Sequence, residues 1–185
     1  MSQNHPTEIH SIIRHRRSPR TFQNRPIPEE KLMALVEAAR WSASAFNEQP
    51  WRFVIGRQGD EKYKKILSSL VEWNQKWAGK APVLILNLAK QNFSHNRQPN
   101  GTANYDLGQA VATMSLEAVH QGLVAHQMSG FDAKAAASAL KIDDEYLPVS
   151  VTAIGFEGSV EDLPEDLAAL ETKTRERKTI DEILF

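Results

Sequence analysis

No cysteine occurs among the 185 residues of the chain. A disulfide framework, a thiolate metal site and a cysteine nucleophile are therefore excluded, and the composition fits a reducing compartment. Neither standard nucleotide cradle, G-x-G-x-x-G or Walker A, is present. The zinc-protease H-E-x-x-H and the serine-hydrolase G-x-S-x-G are absent too. The six histidines are scattered, and His120 and His126, six apart, straddle Gly122 and make a poor metal site. No long hydrophobic run exists; the most apolar stretch, Val83 to Ala89, is far too short to cross a bilayer. Met1 to Pro6 is polar, without the apolar core of a secretory signal. A net charge of −1 argues against the basic balance of a nucleic-acid-binding domain. The expectation is a soluble cytoplasmic protein, one domain over residues 1–185, with neither a nucleic-acid nor a membrane partner. Lacking a nucleophile, a metal set or a triad, it has no side chain expected to carry catalysis, and any redox chemistry would fall to a bound cofactor.

What is present is concentrated. Arg14, Arg16, Arg17 and Arg20 crowd into seven positions, with Ser18 and Pro19 between them. Guanidinium groups offer planar pairs of donors to phosphate oxygens, and such bonds are charge-assisted. The alternative is a solvated helix end whose cations offset the helix dipole. A second string runs Ser42-Ala43-Ser44-Ala45-Phe46-Asn47-Glu48-Gln49-Pro50-Trp51. Its small residues allow close backbone approach, and Asn47 and Gln49 each carry a donor and an acceptor. That set suits a flat ring edge of mixed carbonyl and N–H groups, such as a flavin pyrimidine; the alternative is a capping turn between a helix and a strand.

Periodicity predicts a helix capped by Thr7 and ended by Pro19, and a second opened by Pro28 with Leu32, Leu35, Val36 and Ala39 on its buried stripe. Trp51 to Ile55 reads as a strand, with a turn from Gly56 to Asp60. A continuous helix from Glu61 carries Tyr63, Ile66, Leu67, Leu70, Trp73 and Trp77 on one side. Asn74 lies on that apolar side, where its amide needs a backbone or ligand partner. Val83 to Ala89 reads as a central strand, and Gln91 to Asn104 as a mobile polar loop, a candidate lid. Tyr105 to Gln121 is apolar almost all round, which in so short a chain implies burial against a second subunit. Asp132 leads into a short helix to Leu140, and Val149 to Phe156 is another strand. The tail turns from acidic to basic after Glu171 and ends apolar at Ile180, Ile183, Leu184 and Phe185, as a docking segment would. The irregular alternation of strands and helices suggests α+β or a three-layer sandwich.

Arg16-Arg17-Ser18-Pro19-Arg20-Thr21-Phe22 resembles the N-terminal flavin motif of the FMN-dependent nitroreductase family, and Ser42 to Trp51 resembles its small-residue-Asn-x-Gln-Pro-Trp motif. Asn74-Gln75-Lys76-Trp77-Ala78 with Ala81-Pro82-Val83, then Gly130-Phe131-Asp132, then Arg175-x-Arg177-Lys178, follow in the family's order. The resemblance spans essentially the whole chain. It implies an α+β three-layer α/β/α sandwich with a mainly antiparallel sheet, in an intertwined homodimer holding two FMN. Arg16, Arg17, Ser18 and Arg20 would hold phosphate, ribityl and ring from one side, with Arg175 and Arg177 on the phosphate. Asn74 would meet the ring, Ser129 and Gly130 would approach it through backbone groups, and Ala43, Ser44, Asn47 and Gln49 would come from the partner subunit. The implied activity is ping-pong hydride transfer from NADH or NADPH to FMN and on to a nitroaromatic, quinone or similar small acceptor. An enone, oxygen or a halogenated aromatic are alternatives. Outside enzymology stand a flavin reservoir and an anion- or RNA-binding protein. The chain departs from the family pattern at Ala43 and Thr179, where proline is common, and at Trp77, which replaces a basic residue that some members place near the flavin.

Overall fold

The computed structural model describes residues 8–185. Thr7, expected as a helix cap, lies outside them. Helix α1 (Ser11–His15) instead takes His10 as its cap, the Nδ1 of which accepts from the Ile12 N–H at 3.3 Å. It ends at His15, well before Pro19, because Arg16 already has extended backbone.

The centre is a four-stranded sheet of β1 (Trp51–Arg57), β2 (Val83–Lys90), β3 (Val124–Met128) and β4 (Tyr146–Gly155), in the order β1-β2-β4-β3 with every pair antiparallel. β2 is buried at all eight positions, as its unbroken apolar pattern requires of a strand covered on both faces. Leu84, Leu86 and Leu88 face one layer; Val83, Ile85 and Ala89 face the other. On the first face lie α3 (Glu61–Ser69), α4 (Glu72–Ala78), α6 (Ala133–Leu140) and α7 (Glu165–Glu171). On the second lie α2 (Glu29–Arg40) and α5 (Ala103–His120). This is the three-layer α/β/α sandwich expected. Leu32, Leu35 and Ala39 form the buried stripe of α2, while Val36 is half-buried.

Three expectations need correction. The helix from Glu61 is broken: Leu70 and Val71 adopt extended backbone between α3 and α4. The Val71 N–H donates to Gly130 O at 3.0 Å, and Leu70 bridges Phe131, so tertiary pairing replaces the helical ladder there. Gly56 belongs to β1, not to a turn. A Cβ on it would sit 2.6 Å from the Tyr63 backbone, so glycine lets α3 press against the strand. β4 starts three residues before Val149, and its Pro148 is accommodated at a register shift opposite Asn87 and Leu88. The Gln91–Asn104 loop, whose expected place between strand and helix stands, carries its own bonds: Asn92 bridges Pro99, Phe93 N–H donates to Gln98 O at 2.9 Å, and Asn100 N–H to Gln91 O at 2.8 Å.

In the single chain α5 buries Leu107, Ala110, Val111, Met114 and Ala118. Its other side, along Tyr105, Gly108 and Ala112, is exposed. The tail residues Ile180, Ile183, Leu184 and Phe185 are likewise exposed. The helix is apolar on both sides and the chain covers one. Among the described residues no helix is long and apolar enough to cross a membrane.

Candidate functional site

The first motif and the basic tail meet. Arg16, Arg17, Ser18, Arg20, Arg175 and Arg177 line one open cavity of about 720 Å³, joined there by Glu171, Lys173 and Thr174. The junction is built by backbone acceptors: the Arg175 guanidinium donates to Arg16 O and, at 2.6 Å, to Arg14 O. Arg16 Nη1 donates to Ser18 Oγ at 3.0 Å. Burial, and then the like charges of Arg175 and Arg177, hold the Arg16 guanidinium below its ordinary pKa. Cations packed so that they disfavour one another's charge are best satisfied by a multivalent anion.

Glu171 was not anticipated as a site residue; its place at the end of an acidic stretch made it look like tail. Its side chain is only 5% exposed. Glu171 Oε2 accepts from the Arg20 N–H at 3.2 Å and from Arg20 Nη1 at 3.4 Å, and Oε1 lies 3.6 Å from Arg17 Nη2. Glu157 stands 3.8 Å from Arg17 on the exposed side.

Beneath the turn that presents Ser18 and Arg20 lies an aromatic stack. Trp77 is fully buried, with its ring centroid 6.3 Å from Phe22 and 4.4 Å from His126. His126 Nδ1–H donates to Pro19 O at 3.1 Å, which pins the turn from below. Trp77 is therefore a core residue under the motif. Trp73, expected on the same apolar side, is exposed, because the break at Leu70 rotates α4.

Asn74 finds the partner its amide needs: Nδ2 donates to Gly130 O at 3.0 Å. A Cβ at Gly130 would lie 2.8 Å from that nitrogen and 3.0 Å from Val71 Cγ2, so only glycine allows this contact. Ser129, next to it, is exposed.

The second motif forms a separate turn. Ala45–Asn47 is one 3-10 turn, and Phe46, Asn47 and Gln49 have φ of 53°, 54° and 51°. Left-handed backbone at three non-glycine positions is costly and is retained where surrounding bonds hold it. Here Ser44 Oγ accepts from the Gln49 N–H at 3.0 Å, and Asp106 Oδ2 from the Ala45 N–H at 3.1 Å. Glu48 Oε1 accepts from Ser94 N–H at 2.9 Å and Ser94 Oγ at 2.6 Å, tying the turn to the loop of Gln91 to Asn104. Phe46, 84% exposed, meets Phe93 edge-on at 5.7 Å. None of Ala43, Ser44, Asn47 and Gln49 lines the arginine cavity. Within the chain the structure thus brings together the basic residues, pairs Asn74 with Gly130, and keeps the amide turn apart. Among the described residues no cluster of His, Asp or Glu could hold a metal.

A sequence model of the nitroreductase family matches residues 13–156, most of the chain. The chain belongs to the nitroreductase family. A 15.4 kDa protein of Mycolicibacterium smegmatis is 32% identical over 145 residues, covering 72% of this chain and 94% of that one. Among solved structures, an oxidoreductase containing FMN superposes with a TM-score of 0.92 at 32% identity, covering 99% of this chain and 93% of the other. A nitroreductase family protein of Clostridium difficile 630 superposes at 0.74 with 20% identity over 97% of this chain and 98% of that one, and attests the fold.

Proposed function

We propose that the protein is a cytoplasmic, homodimeric FMN-dependent oxidoreductase that takes reducing equivalents from NADH or NADPH. The observation that carries this is the meeting of Arg16, Arg175 and Arg177 at one cavity, with no dinucleotide fingerprint in the chain. The donor set fits the group: guanidiniums for one phosphate, and an amide, Asn74, fixed by glycine-dependent close packing on Gly130. When bound, FMN would supply the redox chemistry, a ping-pong hydride relay from NADH or NADPH to a nitroaromatic, quinone or similar small acceptor.

The chain's own part is to bind, orient and tune. Arg16, Arg175 and Arg177 hold phosphate, with Arg17 and Ser18 beside them. Arg20, fixed by Glu171, would offer its N–H donors to the ring edge. Asn74, Ser129 and Gly130 border the ring. Asn47 and Gln49, with Ala43 and Ser44, reach it from the partner subunit. That assignment is supported by their separation from the cavity within one chain and by the uncovered apolar side of α5.

The purified protein should be yellow and release FMN, identified by chromatography. FAD as the dominant released flavin, or none after flavin-replete expression, removes the reading. A bound flavin that neither NADH nor NADPH bleaches points to storage instead. Arg16→Ala deletes a charge-assisted bond worth about 1.5–3 kcal/mol, so FMN affinity should fall about ten- to a hundredfold. Riboflavin, which has no phosphate, should bind both proteins alike; equal losses for the two flavins show that the cavity is not the phosphate site. Sedimentation should give a dimer at micromolar concentration. A monomer with flavin bound contradicts the partner's role.

A further inference from the structure

Glu171 is the sole carboxylate among six cationic side chains at the cavity. It is buried, and it contacts only one end of the set: Arg20 through both backbone and guanidinium, and Arg17. Arg16, Arg175 and Arg177 at the other end have no carboxylate within salt-bridge distance among the described residues. The cavity is thus divided into a neutralised half and a cationic half.

We propose that Glu171 is the specificity residue that makes this cavity select a single phosphate group over a diphosphate. It occupies, as a built-in anion, the guanidiniums that a second phosphate would need. Arg16, Arg175 and Arg177 then accept one dianion. A diphosphate would bring its additional charge against a carboxylate that cannot leave, since its side chain is enclosed and its Oε2 is held by the Arg20 N–H. Like charges brought together out of water repel strongly. The lowered pKa of Arg16, caused by burial and by Arg175 and Arg177, agrees with an excess of positive charge at that end. The inference deepens the FMN reading by assigning the residue that rejects a dinucleotide. It does not need flavin for its test.

The probes are inorganic phosphate and inorganic pyrophosphate, titrated by calorimetry into the flavin-stripped protein. FMN and riboflavin are titrated in parallel. Glu171→Gln keeps an oxygen to accept the Arg20 N–H and removes only the charge. Pyrophosphate affinity should rise about tenfold, with phosphate rising less. The double variant E171Q/R17Q should bring the pyrophosphate-to-phosphate ratio back toward wild type, because the net charge of that half is restored. An unchanged ratio in E171Q, or parallel losses of both anions, overturns the proposal. If E171Q does not fold, two single variants decide. R175Q should lower phosphate affinity about tenfold, and R17Q, whose charge Glu171 already matches, should lower it clearly less. Equal losses overturn the proposal. Failure of FMN to bind wild-type protein counts against the flavin reading alone, since the two anions still report on Glu171.

Discussion

Replacing Trp77 with alanine should destabilise the protein by about 3–5 kcal/mol, the cost of emptying a buried indole site. Folded domains have only about 5–15 kcal/mol in hand, so this variant should be close to the folding threshold. Trp77 has no exposed surface and stacks with Phe22 at an interplanar angle of 15° and with His126 at 39°. One factor opposes the loss: its Nε1–H is buried without a partner among the described groups. Deleting an unsatisfied donor recovers about 1–3 kcal/mol, which places the net cost at the lower end of the range. Trp77→Phe keeps most of the ring and drops the orphaned donor, so it should cost far less. Urea unfolding of the two variants makes the comparison. A loss below about 1 kcal/mol for alanine would mean that the stack does not anchor this side of the sheet. Because the stack underlies Pro19 and Arg20, anion affinity should fall in Trp77→Ala as well, although the indole does not line the cavity.

Acid should weaken the fold through His126. Burial above all lowers its pKa from 6.5 to about 4; the Arg20 and Arg16 charges add to this, while the bond to Pro19 opposes it. The unfolded chain therefore takes up a proton that the folded chain refuses. Stability is full above pH 6.5 and declines as pH falls toward 4, by about 3 kcal/mol over that window. Below it both states are protonated and this contribution is exhausted. Urea midpoints of wild type and His126→Asn between pH 7 and 4 isolate the effect. Asparagine can still donate to Pro19 O but does not titrate, so its profile should be flatter. Parallel profiles would show that His126 is not the source.

Where pattern and environment agree, the sequence was informative. The apolar run at β2, the stripe of α2 and the Asp132 cap of α6, with Oδ1 accepting from Ala135 N–H at 2.9 Å, are local signals that the structure leaves in place. The break between α3 and α4 is different. Leu70 and Val71 are neither glycine nor proline, and the partners that pull them out of the helix, Gly130 and Phe131, lie about sixty residues away. β3 escaped notice because it is a short edge strand with His126 and Gln127 in its middle, and its pairing with β4 is all that marks it. The arginine cluster was legible because four like charges in seven positions are unusual by themselves. Glu171 was not, since its significance rests on Arg20, 151 positions earlier.

The Phe46–Gln49 turn carries a further consequence for anyone altering this protein. Its three left-handed residues are the places where a backbone-guided search for greater thermal robustness would install glycine first. Two of them, Asn47 and Gln49, are also the amides proposed to read the ring edge. Relief of conformational tension and loss of recognition would then arrive in the same substitution. A sturdier protein obtained there would be expected to grip its ligand less selectively. Improvements that leave the chemistry intact belong instead on the exposed helix surfaces away from the turn and the arginine cavity.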